Sequence, residues 1–576
     1  MPWEFTCRPI LRGRRGMVTA GHYLAAMAGF SILADGGNAI DAAVAAGLVE
    51  SLVEPHQNGL GGENPMIIWP AAAASPVVLS GQGWAPTAAT LDAFHSLGVT
   101  SIPGDGYLAA CVPAAVSTYI TALIEFGTRS LAQAAAPALH YARHGFAVTG
   151  GLAENITGML ARFTGEWPTS AATYLRDGSA PAIGDTFTNT AWADTLDALI
   201  RAESGCGGKR VCGLHKAHDC FYRGEVADRI GAALDSAESM DASGAVHRPL
   251  LCVTDFAAYE TRIEEPVTLD FHGARVFKCD AWSQGPVFLQ QLALLLGYDL
   301  AALGHNSADY LHTIIECAKL AFADRERFYG DPLFSEVPME TLLSEDYNER
   351  QRVFIDPEAA IRVPLWDTTP GPPLSPVRGP KPLGGDTTHV DAADADGNMV
   401  SLTPSGGWLQ SSPALKGLGF PLGTRAQMFQ LVSGHPNAVE PRKRPRTTLT
   451  PSMAALPDGR RLAFGTPGGD GQDQWTLQFL LNHLLFGMDL QAALEAPTVH
   501  TRHFPSSFYP HEALTGTMVA ESRIPPDVRK ALRKKGHDVM TVGPWENGRA
   551  TAISWDAGSL AAGASPRHET AYAAGW

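Results

Sequence analysis

Cysteine is scarce in this chain: eight residues in 576, with no Cys-x-x-Cys pair. That density excludes a framework stapled by disulfides and leaves most of the thiols as small buried hydrophobes. Positive charge is also short. Lys and Arg number 43 against 59 Asp and Glu, a formal net charge of −16. This excludes the basic face with which a nucleic-acid binder displaces counterions, and it disfavours docking on an anionic membrane surface. Long apolar runs are missing too. The longest uncharged stretch near the N-terminus, 106–124, carries Pro113 and several polar residues, so it reads as core rather than as a membrane span. The first residues lack a charged segment followed by an apolar one, and the expected location without a signal peptide is the cytoplasm. No internal repeat is visible.

What is present is enough for a large core: 45% hydrophobic and 18% charged residues exclude global disorder. A prior of roughly 150 residues per domain suggests about four domains, although one large α/β unit is equally allowed. The 59 glycines and 41 prolines imply many turns. Residues 38–53 read as a buried helix, with Asn38 as its cap, Ile40, Val44, Leu48 and Leu52 on one face, and Pro55 ending it. Met66–Trp69 reads as a strand. A second helix starts near Ser307, with Leu311, Ile314, Ile315, Ala318 and Phe322 as its apolar stripe. The run Cys206 to Cys220, with His215 and His218, has ligand types that suit zinc but a spacing that matches no standard site. It reads as a surface insertion in a Gly/Lys-rich loop, with a disulfide if the protein is secreted. No metal or organic cofactor is expected.

The most informative segment is 364–386. Seven prolines and few apolar residues cannot form a packed element, so the segment reads as an extended loop. It ends in Gly384-Gly385-Asp386. Two threonines, Thr387 and Thr388, follow, and then a hairpin: strands at 389–393 and 399–403 around Asp396-Gly397. A threonine hydroxyl is a poor nucleophile near neutral pH and needs a base. A cut before Thr387 would supply one, because the new α-amino group has a reference pKa of about 7.7–8.0 and lies beside its own hydroxyl. The same hydroxyl could make the cut by attacking the Asp386 carbonyl. By spacing alone, a Thr-Thr pair opening a strand is ordinary β-propensity.

Five motifs in order supply the context: Gly36-Gly-Asn-Ala-Ile-Asp-Ala-Ala43; Val53-Glu-Pro-His56 with Gly59-Leu-Gly-Gly62; Thr387-Thr-His389 with Asp396-Gly-Asn398; Lys443-Arg-Pro-Arg-Thr-Thr448; and Gly465-Thr-Pro-Gly-Gly469. From about residue 15 to near the C-terminus the chain resembles the gamma-glutamyltransferase family of N-terminal nucleophile hydrolases. The resemblance implies a four-layer αββα sandwich with two mostly antiparallel sheets, made as a proenzyme. Self-cleavage between Asp386 and Thr387 would give a large chain, 1–386, and a small chain, 387–576, each the other's partner. It implies Thr387 as nucleophile, Ser405 as a supporting hydroxyl beside it, and Gly468 and Gly469 as the oxyanion hole, where glycine lets backbone N–H groups approach closely. It further implies Thr447 and Thr448 as hydroxyls that bind a substrate carboxylate.

The departures from the family bear on the substrate. Glutamyl-transferring members clamp the α-carboxylate with an arginine in a segment ending in Ala-Pro; in 79–86 that position holds Gln82, which offers neither a guanidinium fork nor a full charge. The stretch that recognises the α-amino group corresponds to 423–428, where an apolar residue replaces a carboxylate and Arg425 adds positive charge. Gly407 and then Trp408 follow Ser405 where an asparagine is expected. Arg425 either meets a carboxylate on the acyl part of the substrate or forms a structural ion pair, and Trp408 either lines an acyl pocket or packs in the core. His389 and His56 read as structural, and Asp386 either assists the cut or serves turn geometry. The expectation is an amide hydrolase or acyltransferase acting on a small-molecule amide, on the acylase-like side of the family. The rivals are a genuine glutathione hydrolase and an unprocessed scaffold.

Overall fold

The computed structural model describes residues 5–366 and 386–576. The run 38–53 forms an α-helix over Ala39–Val53 with every residue buried. Asn38 caps it, accepting from the N–H groups of Ile40 and Asp41, while Asp41 accepts from the Asn38 N–H. The buried Asp41 carboxylate also takes bonds from Thr128 N, Thr128 Oγ1 and Arg129 N at 2.9, 2.6 and 2.9 Å. A helix with no solvated face must be a layer of the interior. It packs between the helix Tyr23–Ala34 and the strands Val390–Asp394 and Met399–Leu402.

Those strands belong to the first of two seven-stranded sheets. Its order is Tyr572–Gly575, Gly16–Ala20, Val390–Asp394, Met399–Leu402, Met66–Trp69, Val77–Leu79, Ile263–Glu264. The second runs Leu11–Gly13, Ser559–Ala564, Thr551–Asp556, Arg461–Gly465, Ser452–Ala455, Ala274–Lys278, Val267–Phe271. Neighbours in both are antiparallel. Each sheet combines strands from before and after residue 386. Met17, Ile67, Trp69, Phe277, Met453 and Ile553 fill the space between the sheets. The outer face of the second sheet is covered by Gly285–Leu295, Ala308–Phe328 and Gln472–Leu484. The architecture is a helix–sheet–sheet–helix sandwich, the layering that the resemblance implied.

The expected hairpin is present, with Val390 opposite Leu402 and Ala393 opposite Met399. Its turn is organised by Asp394. One carboxylate oxygen accepts from the N–H groups of Asp396, Gly397 and Asn398, and the other accepts from Asn398 Nδ2 and from Ala39 N at the start of the buried helix. Ser307 caps the helix Ala308–Phe328 by accepting from Tyr310 N at 3.1 Å. Segment 106–124 is core, a 3₁₀ turn followed by the helix Ala115–Glu125. The Cys/His run corrects the loop reading: Arg210–Tyr222 is a helix, Cys206 and Cys212 form a disulfide, and His218 is buried against Ser117 Oγ. Most of the proline-rich segment, 367–385, lies outside the described residues. No helix among the described residues is long and apolar enough to cross a membrane.

A polar network ties the two sheets together beneath the hairpin. His389 is held between Thr403 Oγ1 at 2.9 Å and Asp391 Oδ1 at 2.8 Å. Asp391 Oδ2 accepts from Thr19 Oγ1 in its own sheet and from Thr551 Oγ1 in the other, at 3.0 and 2.8 Å. Gly465 of the second sheet presses on the imidazole: a Cβ there would lie 2.2 Å from His389 Cε1. The ring is therefore clamped, as the structural reading expected, and the glycine is required by close approach. Asp391→Ala leaves one imidazole N–H and the buried Thr551 hydroxyl without their acceptor, while Thr19 Oγ1 can still donate to Thr551 Oγ1. It is expected to cost about 3 kcal/mol, measured as a lowered urea midpoint at unchanged slope.

Candidate active site

Thr387 lies at the entry to the strand Val390–Asp394, third of seven in the first sheet, and is 2% exposed. It bridges Ser405 across the hairpin mouth, with Thr387 Oγ1 and Ser405 Oγ 3.1 Å apart. Ser405 Oγ also donates to the Asp386 carbonyl oxygen at 3.1 Å. A hydroxyl, a second hydroxyl and the carbonyl of the 386–387 peptide thus form one continuous set. Ser405 is fixed from behind by two backbone bonds to Glu63, at 2.8 and 2.9 Å. The Asp386 side chain accepts from the Thr387 N–H at 2.9 Å with one oxygen and pairs with Arg549 through the other.

Gly468 and Gly469 line a cavity of about 300 Å³ together with Asp386, Trp475, His500, Phe504 and Phe508. Gly468 has φ +120°, and a Cβ there would stand 2.2 Å from the Trp475 ring, so the turn needs glycine on both counts. Among the described residues neither N–H has a protein acceptor. The turn is braced from below. Gln284 Nε2 donates to the Gly469 carbonyl at 3.2 Å, and Gln284 Oε1 accepts from Arg325 at 2.9 Å. Arg325 pairs with Asp470 and Glu326, and Asp470 also accepts from Ser507 N and Oγ at 2.9 and 2.6 Å. Burial alone would raise the Asp470 carboxyl, but Arg325 and Ser507 outweigh it and hold it below the ordinary range. Thr447 joins the same brace, its carbonyl accepting from Gln284 N at 2.8 Å. Thr448 Oγ1 is buried with no hydrogen-bond partner.

Other residues singled out by the sequence point elsewhere. Arg425 is buried and paired with Glu63 Oε2 through Nε and Nη2, at 3.3 and 3.1 Å, with its guanidinium 5.1 Å from the Trp408 ring centre. Trp408 is itself core, donating to the Gln57 carbonyl at 2.7 Å. Gln82 folds its amide back onto the Gly83 carbonyl at 3.0 Å. Among the described residues, neither Gln82 nor Arg425 lines either of the cavities that Asp386 borders.

The second of those cavities, about 780 Å³, escaped the sequence reading. It is lined by Glu54, His56, Gln57, Arg549, His568 and Thr570 among others. Glu54 and His56 stand in the Glu-Pro-His motif, which gave their place but not their surroundings. Nothing in the run around Arg549 distinguishes it. Burial pushes His56 down to about 3 and His568 well below its ordinary value, so both are neutral. Glu50 near the end of the buried helix and Glu54 at its C-cap are both pushed up by burial. Elsewhere, His312, Glu316 and His537 lie within 4.8 Å of one another, a spacing that a metal ion could use. The Lys319 ammonium already donates to Glu316 Oε1 at 2.7 Å, and the two imidazoles bond each other at 2.8 Å. A cation is thus already in place.

Removing the brace has a calculable sign. Arg325→Met strands the buried Asp470 carboxylate, while Glu326 keeps Arg446, and is expected to destabilise the protein by about 3–5 kcal/mol at pH 7. The folded-state Asp470 carboxyl is depressed, so its stabilisation is present above the unfolded value and lost as pH falls. Denaturant titrations should show the wild-type advantage narrowing below about pH 4.

Comparison with known proteins gives the family. The family profile Gamma-glutamyltranspeptidase matches residues 25–575. The Glutathione hydrolase-like YwrD proenzyme of Bacillus subtilis is 31% identical over 565 residues, covering 97% of this chain and 98% of that one. The Acylase ACY 1 proenzyme of Pseudomonas sp. strain SE83 is 33% identical over 583 residues, covering 98% and 94%. The crystal structure of a cephalosporin acylase from Bacillus halodurans superposes with a TM-score of 0.84 at 29% identity, covering 100% of this chain and 99% of that one. The chain belongs to the gamma-glutamyltranspeptidase family.

Proposed function

We propose that this chain is a self-processing amide hydrolase and acyltransferase that works through an ester on Thr387 and takes an acyl group other than an ordinary gamma-glutamyl. The observation that carries the reading is the set of Thr387 Oγ1, Ser405 Oγ and the Asp386 carbonyl, each 3.1 Å from the next. In the uncut chain Thr387 Oγ1 attacks the Asp386 carbonyl carbon, and Ser405 donates to the oxygen that becomes negative. The C–N bond breaks and the hydroxyl proton passes to the nitrogen, leaving an ester on Thr387 and a free α-amine. Water then hydrolyses the ester and releases the Asp386 carboxylate, separating 1–386 from 387–576.

The mature site repeats this chemistry on a substrate. The α-amine takes the Thr387 proton as the hydroxyl attacks the amide carbonyl, then gives it to the leaving amine. Gly468 and Gly469 hold the oxyanion with N–H groups that have no other acceptor among the described residues. Water, or an acceptor amine, discharges the acyl group. Two observations favour an atypical acyl group: Gln82 stands where the carboxylate-clamping arginine is expected, and Arg425 is spent on Glu63. The names of the relatives, an acylase and a cephalosporin acylase beside a glutathione hydrolase-like protein, point the same way.

Intact mass and N-terminal sequencing of the purified protein should give two chains, the second beginning Thr-Thr-His-Val. Thr387→Ala should remain one chain without amidase activity, and cleavage persisting in it overturns the mechanism. Ser405→Ala should slow self-cleavage by about 10²–10³-fold, the usual effect of losing one donor to an oxyanion. The base must be unprotonated, so kcat/KM should rise with pH through the α-amine value, about 7.7–8.0 before environmental shifts.

A further inference from the structure

Asp386 is the wall between two cavities, the one holding Gly468 and Gly469 and the one holding Arg549. Under the self-cleavage reading, breaking the 386–387 bond makes Asp386 the free end of the other chain. The two cavities then meet across the space it filled, and Arg549 loses the carboxylate it was paired with.

We propose that Arg549 is the anion-binding subsite of the mature enzyme, held by Asp386 until the chain is cut and then open to a carboxylate on the acyl part of the substrate. This rests on the self-cleavage reading and adds a substrate class to it: amides of ω-carboxyacyl groups, of which succinyl is the template. The uncut chain is itself such an amide. Counting from the scissile carbonyl of Asp386, its carboxylate is two carbons away, the skeleton of a succinyl group, and that carboxylate is the one Arg549 holds. The ester formed during self-cleavage is therefore the same kind of species as a succinylated Thr387, with the same anion within reach of the same guanidinium.

The surroundings fit. The Arg549 N–H donates to Thr466 Oγ1 at 2.8 Å, two residues before Gly468, so the side chain starts from a point fixed relative to the oxyanion turn. Arg567, the other arginine on that cavity, is committed to Glu521 at 2.6 and 2.9 Å. The two histidines there are neutral, which leaves Arg549 as the cation of the described lining residues whose ion pair, with Asp386, the cut would release. Glu54, the nearby buried acid, accepts from Thr570 Oγ1 and Gln57 Nε2 through Oε1 at 3.3 and 3.4 Å; its Oε2 has no hydrogen-bond partner among the described residues and its charge attracts Arg549, so it is the anion with which a substrate carboxylate would compete. A guanidinium presents a planar fork of donors that matches a carboxylate, which an ammonium does not.

The test compares succinyl and glutaryl p-nitroanilides with their neutral succinamoyl and glutaramoyl counterparts on processed enzyme. Wild type should prefer the anionic member by at least about tenfold in kcat/KM; Arg549→Gln should lower that preference at least about tenfold, mainly through KM, and Arg549→Lys should fall between. If Arg549→Gln does not self-cleave, Arg549→Lys carries the comparison, together with calorimetric binding of succinate to mature wild type and to this variant, where binding should weaken about tenfold. An equal loss on both amides, an unchanged preference, or succinate binding indifferent to the substitution overturns the subsite. Turnover of no amide at all by processed wild type refutes the amidase reading instead, and succinate binding still decides the subsite.

Discussion

The Ser405 hydroxyl is the contact through which the candidate site is assembled. It lies 3.1 Å from the Thr387 hydroxyl and 3.1 Å from the carbonyl that precedes it, and its position is not its own. Ser405 follows the second strand of the hairpin, so its height is set by the register of Val390 opposite Leu402 and its lateral place by two backbone bonds to Glu63. Register in a buried antiparallel pair is strongly specified, because a slip of one residue turns every side chain to the wrong face. Here a slip would also pull His389 off Thr403 on the opposite strand and so open a network that reaches both sheets. Precision at two hydroxyls is thus a property of the sandwich as a whole.

Much of this frame was legible in the sequence, and the reasons differ by element. The helices at 39–53 and 308–328 and the hairpin are written in periodicity and caps, which are local signals. The Thr387–Ser405 relation was legible only through motif order, since β-propensity explains a Thr-Thr pair equally well. The partner of Arg425 was out of reach, because Glu63 lies 362 residues away. Arg549 was invisible for the same reason, its carboxylate being met only when the last strands fold back against the hairpin. The Cys206–Cys220 run was misread as a loop throughout: only Gly207, Gly208 and Lys209 precede the helix Arg210–Tyr222, which buries Leu214, Ala217 and Phe221 at a spacing the metal-ligand question hid.

Scarce positive charge is spent inside. Arg325, Arg425, Arg444, Arg446, Lys278 and Lys319 are all buried against acids. Two belong to the basic motif 443–448, whose arginines lash Asp331 and Glu326 to the strand entry carrying Thr447. Such pairs add little net stability once desolvation is counted, but removing one partner is costly. They act as locks on geometry, and the lock around Asp470 sits directly beneath the Gly468–Gly469 turn.

The interleaving of strands gives the molecule a history. In each sheet, segments that precede residue 386 are hydrogen-bonded to segments that follow it. While the chain is whole, their meeting is an intramolecular search whose cost grows only slowly with loop length. After a cut at 386–387, nothing covalent records that the two pieces belong together, and reassembly from the unfolded state becomes a second-order encounter that depends on concentration. The severed molecule would persist because its barrier to opening is high, keeping an arrangement that its separate pieces could regain only by finding each other.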